Sequence, residues 1–286
     1  MSSISTVYFD QNVYDFCADN IPAVELQQIL RHKNHELVLG TLDLFEVASC
    51  FKSGNKQNVE RGKCLSQYFG SLLPMKMLRD ISGLLQLEAR KSVEKNPIES
   101  IYYGGKDKTL FEEEINKLSR GIYDKTASEF IERDWAGKIV YKQRIEDCLR
   151  KVGAIKLKAI RAMSFSDFMR CHKDHYEVWE KQWIRCELES MQDNWRGCIL
   201  NAAVKRIVSR PLRYPCFTLS PKIYLFPFFK AGRDGTFSQD TPIDLKHLIN
   251  SVPIEIFVSG DDKLIKYAKD ICPERIIYKI DEYFHL

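Results

Sequence analysis

The 286-residue chain is 44% hydrophobic, 29% charged and 12% aromatic, which excludes intrinsic disorder and leaves room for one large domain or two ordinary ones. Its net charge of +4 permits a polyanionic partner without demanding one, because the distribution of charge matters more than its sum. The aromatic-rich stretch "IYLFPFF" is far shorter than the ~20 apolar residues a bilayer span needs, so no membrane partner is expected. The opening "MSSISTVYFDQN" has no signal-peptide pattern, and the nine cysteines include no CxxC pair. We therefore expect a cytoplasmic protein with reduced thiols.

The N-terminal elements alternate in type. "STVYFD" (5–10) predicts a strand ending on Asp10, "QNVYDFCADN" a helix, and "PAVELQQILRHK" a second helix with Pro22 in its first turn. "HELVLG" (35–40) predicts a strand closed by Gly40. Thr41 then reads as the N-cap of "LDLFEVASCF".

The middle, 55–215, carries long charged stretches with helical period and few convincing strands, and predicts a helical insertion. "RPLRYPCFTLSPKIYLFPFFKAGRDG" (210–235), with four of the ten prolines, marks the return to the sheet. "PIDLKHLINSV" (242–252) then predicts a helix, "PIEIFVSG" a strand, "DDKLIKYAKDIC" a helix with one apolar face, and "ERIIYKI" a last strand. Strands alternating with helices at both ends predict an α/β fold whose central sheet is mostly parallel, with helices on its faces. Residues 1–54 and 216–286 would form this domain, with 55–215 inserted.

Open parallel sheets bind ligands at the carboxyl ends of their strands. Asp10 ends the first strand, Glu46 sits on the helix after the second, Asp244 opens the helix before "IEIFVSG", and Asp261 follows that strand. Acids so converged raise each other's pKa and need a cation to stay ionised together. Oxygen-only donors suit Mg²⁺ or Mn²⁺. Asp262 is placed at the helix start, which leaves Asp261 free.

The stretches "VYFDQN", "LDLFEVA", "IDLKHLI" and "FVSGDDKL" resemble the acidic motifs of the PIN-domain nucleases, over about the first and last 50 residues. In that family a D-x-N ends the first strand, a Glu rides the helix after the second, an Asp precedes a helix, and a T/S-x-D closes the fourth. The matching residues are Asp10 with Asn12, then Glu46, Asp244, and Ser259 with Asp261; Asp240, one helical turn from Asp244, is the alternative third acid. The resemblance implies a three-layer PIN-like domain and an endoribonuclease dependent on Mg²⁺ or Mn²⁺. It also implies an RNA substrate and, in many members, a toxin or defence role. Asp10 and Asp261 would be the principal metal ligands, and Glu46 and Asp244 would ligate directly or through water. Asn12 would organise the turn and Ser259 would support the site. The rival expectation is a catalytically silent PIN-like scaffold that binds RNA, a protein partner or an inhibitor through the insertion.

Other features carry weaker signals. "HKNH" (32–35) and "HKDH" (172–175) have the i, i+3 spacing of zinc ligands, though solvated polar faces explain them better. "RCHKDH" (170–175) also fits the R-x4-H pattern of a metal-independent, helical ribonuclease family, with His175 as its histidine. Residues 137–162 hold eight Lys/Arg against two acids, which suits an RNA-backbone surface or plain solubility. Trp179, Trp183 and Trp195 are read as core of the insertion in preference to base-stacking platforms.

Overall fold

A computed structural model describes residues 4–52, 54–94, 100–125, 143, 158, 160–191, 198–234 and 241–285; for residues 198 and 241–244 only the backbone is described. The chain opens with β1 (Ser5–Phe9), α1 (Gln11–Asn20), α2 (Ala23–His32), β2 (His35–Gly40), α3 (Thr41–Lys52), α4 (Lys56–Leu72) and β3 (Lys76–Leu78). It continues through α5 (Ile81–Val93), α6 (Gly105–Ser119), α7 (Phe165–Cys171), α8 (Lys173–Met191), α9 (Cys198–Ser209), a 3-10 turn (Pro211–Arg213) and α10 (Pro215–Asp234). It closes with α11 (Thr241–Asn250), β4 (Ile256–Ser259), α12 (Asp262–Ile271), β5 (Ile276–Lys279) and α13 (Ile280–Phe284).

The five strands form one sheet in the order β3-β2-β1-β4-β5, and every pairing is parallel. Successive side chains of a strand point to opposite faces, and the buried residues sort that way. Val7, Phe9, Leu37, Leu39, Met77, Ile256 and Val258 enter a core with Tyr14, Leu26, Val47, Phe69, Ile115 and Tyr283. Tyr8, Val38, Leu78, Phe257 and Ile277 enter a second core with Leu84, Ile184, Phe217, Phe226, Leu248 and Ile265. Helices thus cover both faces, as continuously apolar parallel strands require. Burying one such Phe or Leu side chain stabilises the fold by about 1.5–3 kcal/mol.

Two differences from the sequence-based expectation concern the middle of the chain. The stretch 55–215 is not purely helical: β3 pairs with β2 through Val38–Lys76, Leu39–Met77 and Gly40–Leu78. The sheet therefore takes its edge strand from this stretch, and Leu65 and Phe69 of α4 join the first core. The proline-rich return is a 20-residue helix, α10, with Pro221 and Pro227 inside it. Each proline removes a helix hydrogen bond, but Phe217, Ile223, Phe226 and Phe229 are buried along the same helix, and that burial offsets the loss. Trp183 packs against the second core, while Trp179 is exposed at 36%. Trp195 and most of the basic stretch 137–162 lie outside the described residues.

Strand order reverses direction at β1 and β4: the chain steps outward from β1 to β2 and β3 on one side, and β4 and β5 lie on the other. A crevice opens at the carboxyl ends of two strands where successive connections diverge in this way. The β1–β4 pairing runs into that crevice, with the Asp10 N–H donating to the Val258 carbonyl at 3.1 Å.

Candidate active site

A cleft of about 340 Å³ lies at this point, lined by Asp10, Asn12, Asp15, Glu46, Arg61, His247 and Asp261, with Leu65 and Leu264 among its apolar walls. Each carboxylate is fixed by the element it begins or rides on. Asp10 is the N-cap of α1, and its Oδ1 accepts the Val13 N–H at 3.1 Å. Its Oδ2 accepts a short hydrogen bond from the Ser259 hydroxyl. Ser259, fully buried at the end of β4, in turn accepts the Asp261 N–H at 3.0 Å. One hydroxyl thus ties the acid after β1 to the turn after β4.

Gly260 makes this approach feasible. A Cβ there would stand 2.8 Å from Ile280 Cδ1 and 3.0 Å from Asn12 Cβ, so a larger residue would drive the two loops apart. Asn12 itself lies in the first turn of α1 and faces the cleft.

Asp262 starts α12 as expected, but Asp261 is not left free of the helix: it is the N-cap. Its Oδ1 accepts both Lys263 N–H at 2.6 Å and Leu264 N–H at 3.2 Å. Asp262 is the first helical residue and pairs with Lys279 at 2.5 Å. Asp261 still lines the cleft, because one oxygen suffices for capping.

Glu46, on α3, is held by a residue that the acidic motifs do not single out. His247 of α11 sets Nε2 3.1 Å from Glu46 Oε1. Its Nδ1 lies 3.0 Å from the Tyr8 hydroxyl. That hydroxyl donates to Asp43 Oδ1 at 3.2 Å, and Asp43 Oδ2 accepts the Gly40 N–H at 2.8 Å. Thr41 is the first residue of α3 and not its cap, and Asp43 closes the turn before the helix by accepting the Gly40 N–H. Gly40 is glycine for a steric reason: a Cβ would sit 2.7 Å from the Tyr8 ring. Tyr8, Asp43 and His247 are all buried. Glu46 Oε2 is buried and has no hydrogen-bond partner.

Both ring nitrogens of His247 face acceptors, since the Tyr8 hydroxyl spends its proton on Asp43 and Glu46 offers a carboxylate. The electrostatics agree. Burial works against an imidazolium here, but Glu46, then Asp43 and Asp10, outweigh it and raise His247 from 6.5 to about 9. Burial pushes Asp43 up from 3.8 to about 8, against the pull of His247 and the Gly40 N–H. Burial also raises Asp10, opposed by His247 and the Ser259 hydrogen bond. The expected mutual repulsion of the acids is thus not what raises Asp10: desolvation is, and an imidazolium tempers it.

A pH dependence of stability follows. A raised folded-state pKa gives stability that is full below the unfolded value and lost as pH climbs through the folded one. For His247 that window runs from 6.5 to about 9, and Asp43 acts in the same direction up to about 8. The melting temperature should fall as pH rises from 6.5 to 9, and His247→Gln should flatten that fall; a flat wild-type profile would contradict the charged assignment.

Asp244 lies in α11, one helical turn before His247, with only its backbone described, and Asp240 lies outside the described residues. At the cleft, Arg61 donates from Nε to Asp15 Oδ1 at 2.8 Å and from Nη1 to Asp19 Oδ1 at 2.6 Å.

The histidine pairs do not form ligand faces. His32 closes α2 while His35 opens β2, with its Nδ1 2.9 Å from the Tyr283 hydroxyl. His172 is the exposed residue between α7 and α8 and His175 is exposed in the first turn of α8, and Arg170 of the R-x4-H pattern pairs with Asp167.

Among the described residues, no three His, Cys, Asp or Glu side chains stand close enough, as placed, to hold one metal ion. The cleft's donors still suit a hard divalent cation in kind. Glu46 leaves an unpartnered buried oxygen, Asp261 spends only Oδ1 on its helix, and the remaining lining carboxylate of the set, Asp10, is a hard oxygen donor too. The seven cysteines whose side chains are described are in no disulfide, and none of the described helices is long and apolar enough to cross a membrane. Neither family models, nor curated proteins, nor solved structures give a match to this chain.

Proposed function

We propose that this protein is a Mg²⁺- or Mn²⁺-dependent endoribonuclease with a three-layer PIN-like α/β domain, cleaving RNA phosphodiester bonds in the cleft between β1 and β4. One observation carries the reading: Asp10, Glu46 and Asp261, from three separate segments, line a single cleft at the switch point of a parallel sheet. Like charges gathered in this way suit a site that receives a cation. Asp10, Glu46 and Asp261 would hold the ion, and Asp244 would join them from α11. When bound, such an ion supplies Lewis-acid charge against the phosphate and acidifies a water for attack on phosphorus. The chain's own residues do the positioning. Ser259 fixes Asp10, the α12 N-terminus fixes Asp261, and Leu65 and Leu264 form apolar walls of the cleft.

A second reading is the catalytically silent scaffold, binding RNA or a protein partner through the stretch 55–215. It is favoured by the lack of a closed three-ligand cluster among the described residues. Incubating the purified chain with a structured and an unstructured RNA in Mg²⁺, Mn²⁺ or EDTA separates the two. Cleavage in either metal and none in EDTA is expected. Cleavage that survives EDTA would overturn the metal-dependent site, and an inert protein would favour the scaffold.

A further inference from the structure

The buried string Gly40, Asp43, Tyr8 and His247 has no role in binding an ion or a phosphate, yet it ends on Glu46. Its members come from distant parts of the chain: the Tyr8–His247 contact spans 239 residues. A buried polar chain of this kind is stabilising only when every member is satisfied, and here the bonds are complete up to one atom. Asp43 accepts from Gly40 N–H and from the Tyr8 hydroxyl. The Tyr8 hydroxyl lies 3.0 Å from His247 Nδ1, and His247 Nε2 lies 3.1 Å from Glu46 Oε1. The unsatisfied atom is Glu46 Oε2.

We propose that His247 is a positioning residue that holds Glu46 by Oε1 and thereby presents Oε2 as a ligand to the divalent cation. This rests on the metal-dependent reading above. Glu46 rides α3 on a side chain with several rotatable bonds, so an unheld carboxylate would sample rotamers that miss the cleft. A donor fixed by the sheet removes that freedom, as outer-shell partners of metal ligands commonly do. The Tyr8 hydroxyl, 3.0 Å from Nδ1, and Asp43 Oδ1, 3.6 Å from it, stand against the other side of the imidazole ring.

The test is a double-mutant cycle of His247→Gln and Glu46→Gln, read in Mn²⁺ affinity by calorimetry and in stability by urea unfolding. His247→Gln should weaken Mn²⁺ binding about 10–100-fold in the wild-type background and have little effect once Glu46 is Gln. Tyr8→Phe, which keeps the ring in the core and loosens only the imidazole, should weaken binding in the same direction by less. Stability losses of the two Gln substitutions should be non-additive, since they break one shared contact. Equal weakening of Mn²⁺ binding by His247→Gln in both backgrounds would reduce His247 to a structural residue and overturn the proposal. Additive stability losses, with Mn²⁺ binding by the wild type intact, would overturn the link to Glu46 alone. No Mn²⁺ uptake by the wild type, with the stability coupling present, would instead overturn the metal reading and with it the role given to His247.

Discussion

Asp10→Asn is expected to lower the rate of RNA cleavage by on the order of 10²–10³-fold, the range seen when one group acting directly on the transition state is removed. The fold should survive. Asparagine is nearly isosteric, its Oδ1 still caps α1 by accepting the Val13 N–H, and its amide can donate to the Ser259 oxygen, whose hydroxyl rotates to suit. The substitution also removes a buried charge that desolvation already disfavours, so the melting temperature should hold or rise slightly. Activity and melting curves on the same preparation check both halves. An unchanged rate would take Asp10 out of the site, while a collapse of the fold would mean its carboxylate is structural.

The largest loss of stability is expected far from the cleft, at Glu88 on α5. This side chain is 5% exposed and accepts the Cys216 and Phe217 N–H groups at 2.9 Å each, one per oxygen, across 128 and 129 residues. It caps the N-terminus of α10 from another helix and so ties the segment after β3 to the segment before β4. Glu88→Ala strands two buried N–H groups and opens a cavity, for a loss of about 2–4 kcal/mol. Glu88→Gln restores one acceptor and should lose about half as much by the same reasoning. Burial pushes Glu88 up from 4.5 to about 7 despite the two N–H donors. Its contribution therefore declines as pH rises from 4.5 to 7, and the Gln variant should lack that component. Urea midpoints of both variants at pH 5 and pH 7.5 decide the matter; a Glu88→Ala midpoint equal to wild type would remove the cap from the account.

How much of this could be read from the sequence depends on the range of the interactions involved. β1, β2, β4 and the helices beside them announce themselves because their apolar residues repeat at a local period, and Asp10 and Asp261 are visible as acids directly after strands. β3 has only Lys76, Met77 and Leu78, too few residues to express a period. In α10 the prolines at 221 and 227 argue locally against a helix, and only its burial in the second core decides otherwise. His247 is the instructive omission. It stands in "IDLKHLI" between buried Leu245 and Leu248, so its partners had to be buried too, and a titratable residue on an apolar face beside a motif acid was the available signal. Its partners Tyr8, Asp43 and Glu46 come together only through the parallel sheet, and no local pattern records that.

The cleft assignment is tested most directly by locating the ion. Crystals soaked in millimolar Mn²⁺ and measured for anomalous scattering should give a peak in the cleft bounded by Asp10, Glu46 and Asp261, and the peak should vanish in Asp10→Asn. A cleft without a peak at that concentration, or a peak elsewhere on the molecule, would contradict the account.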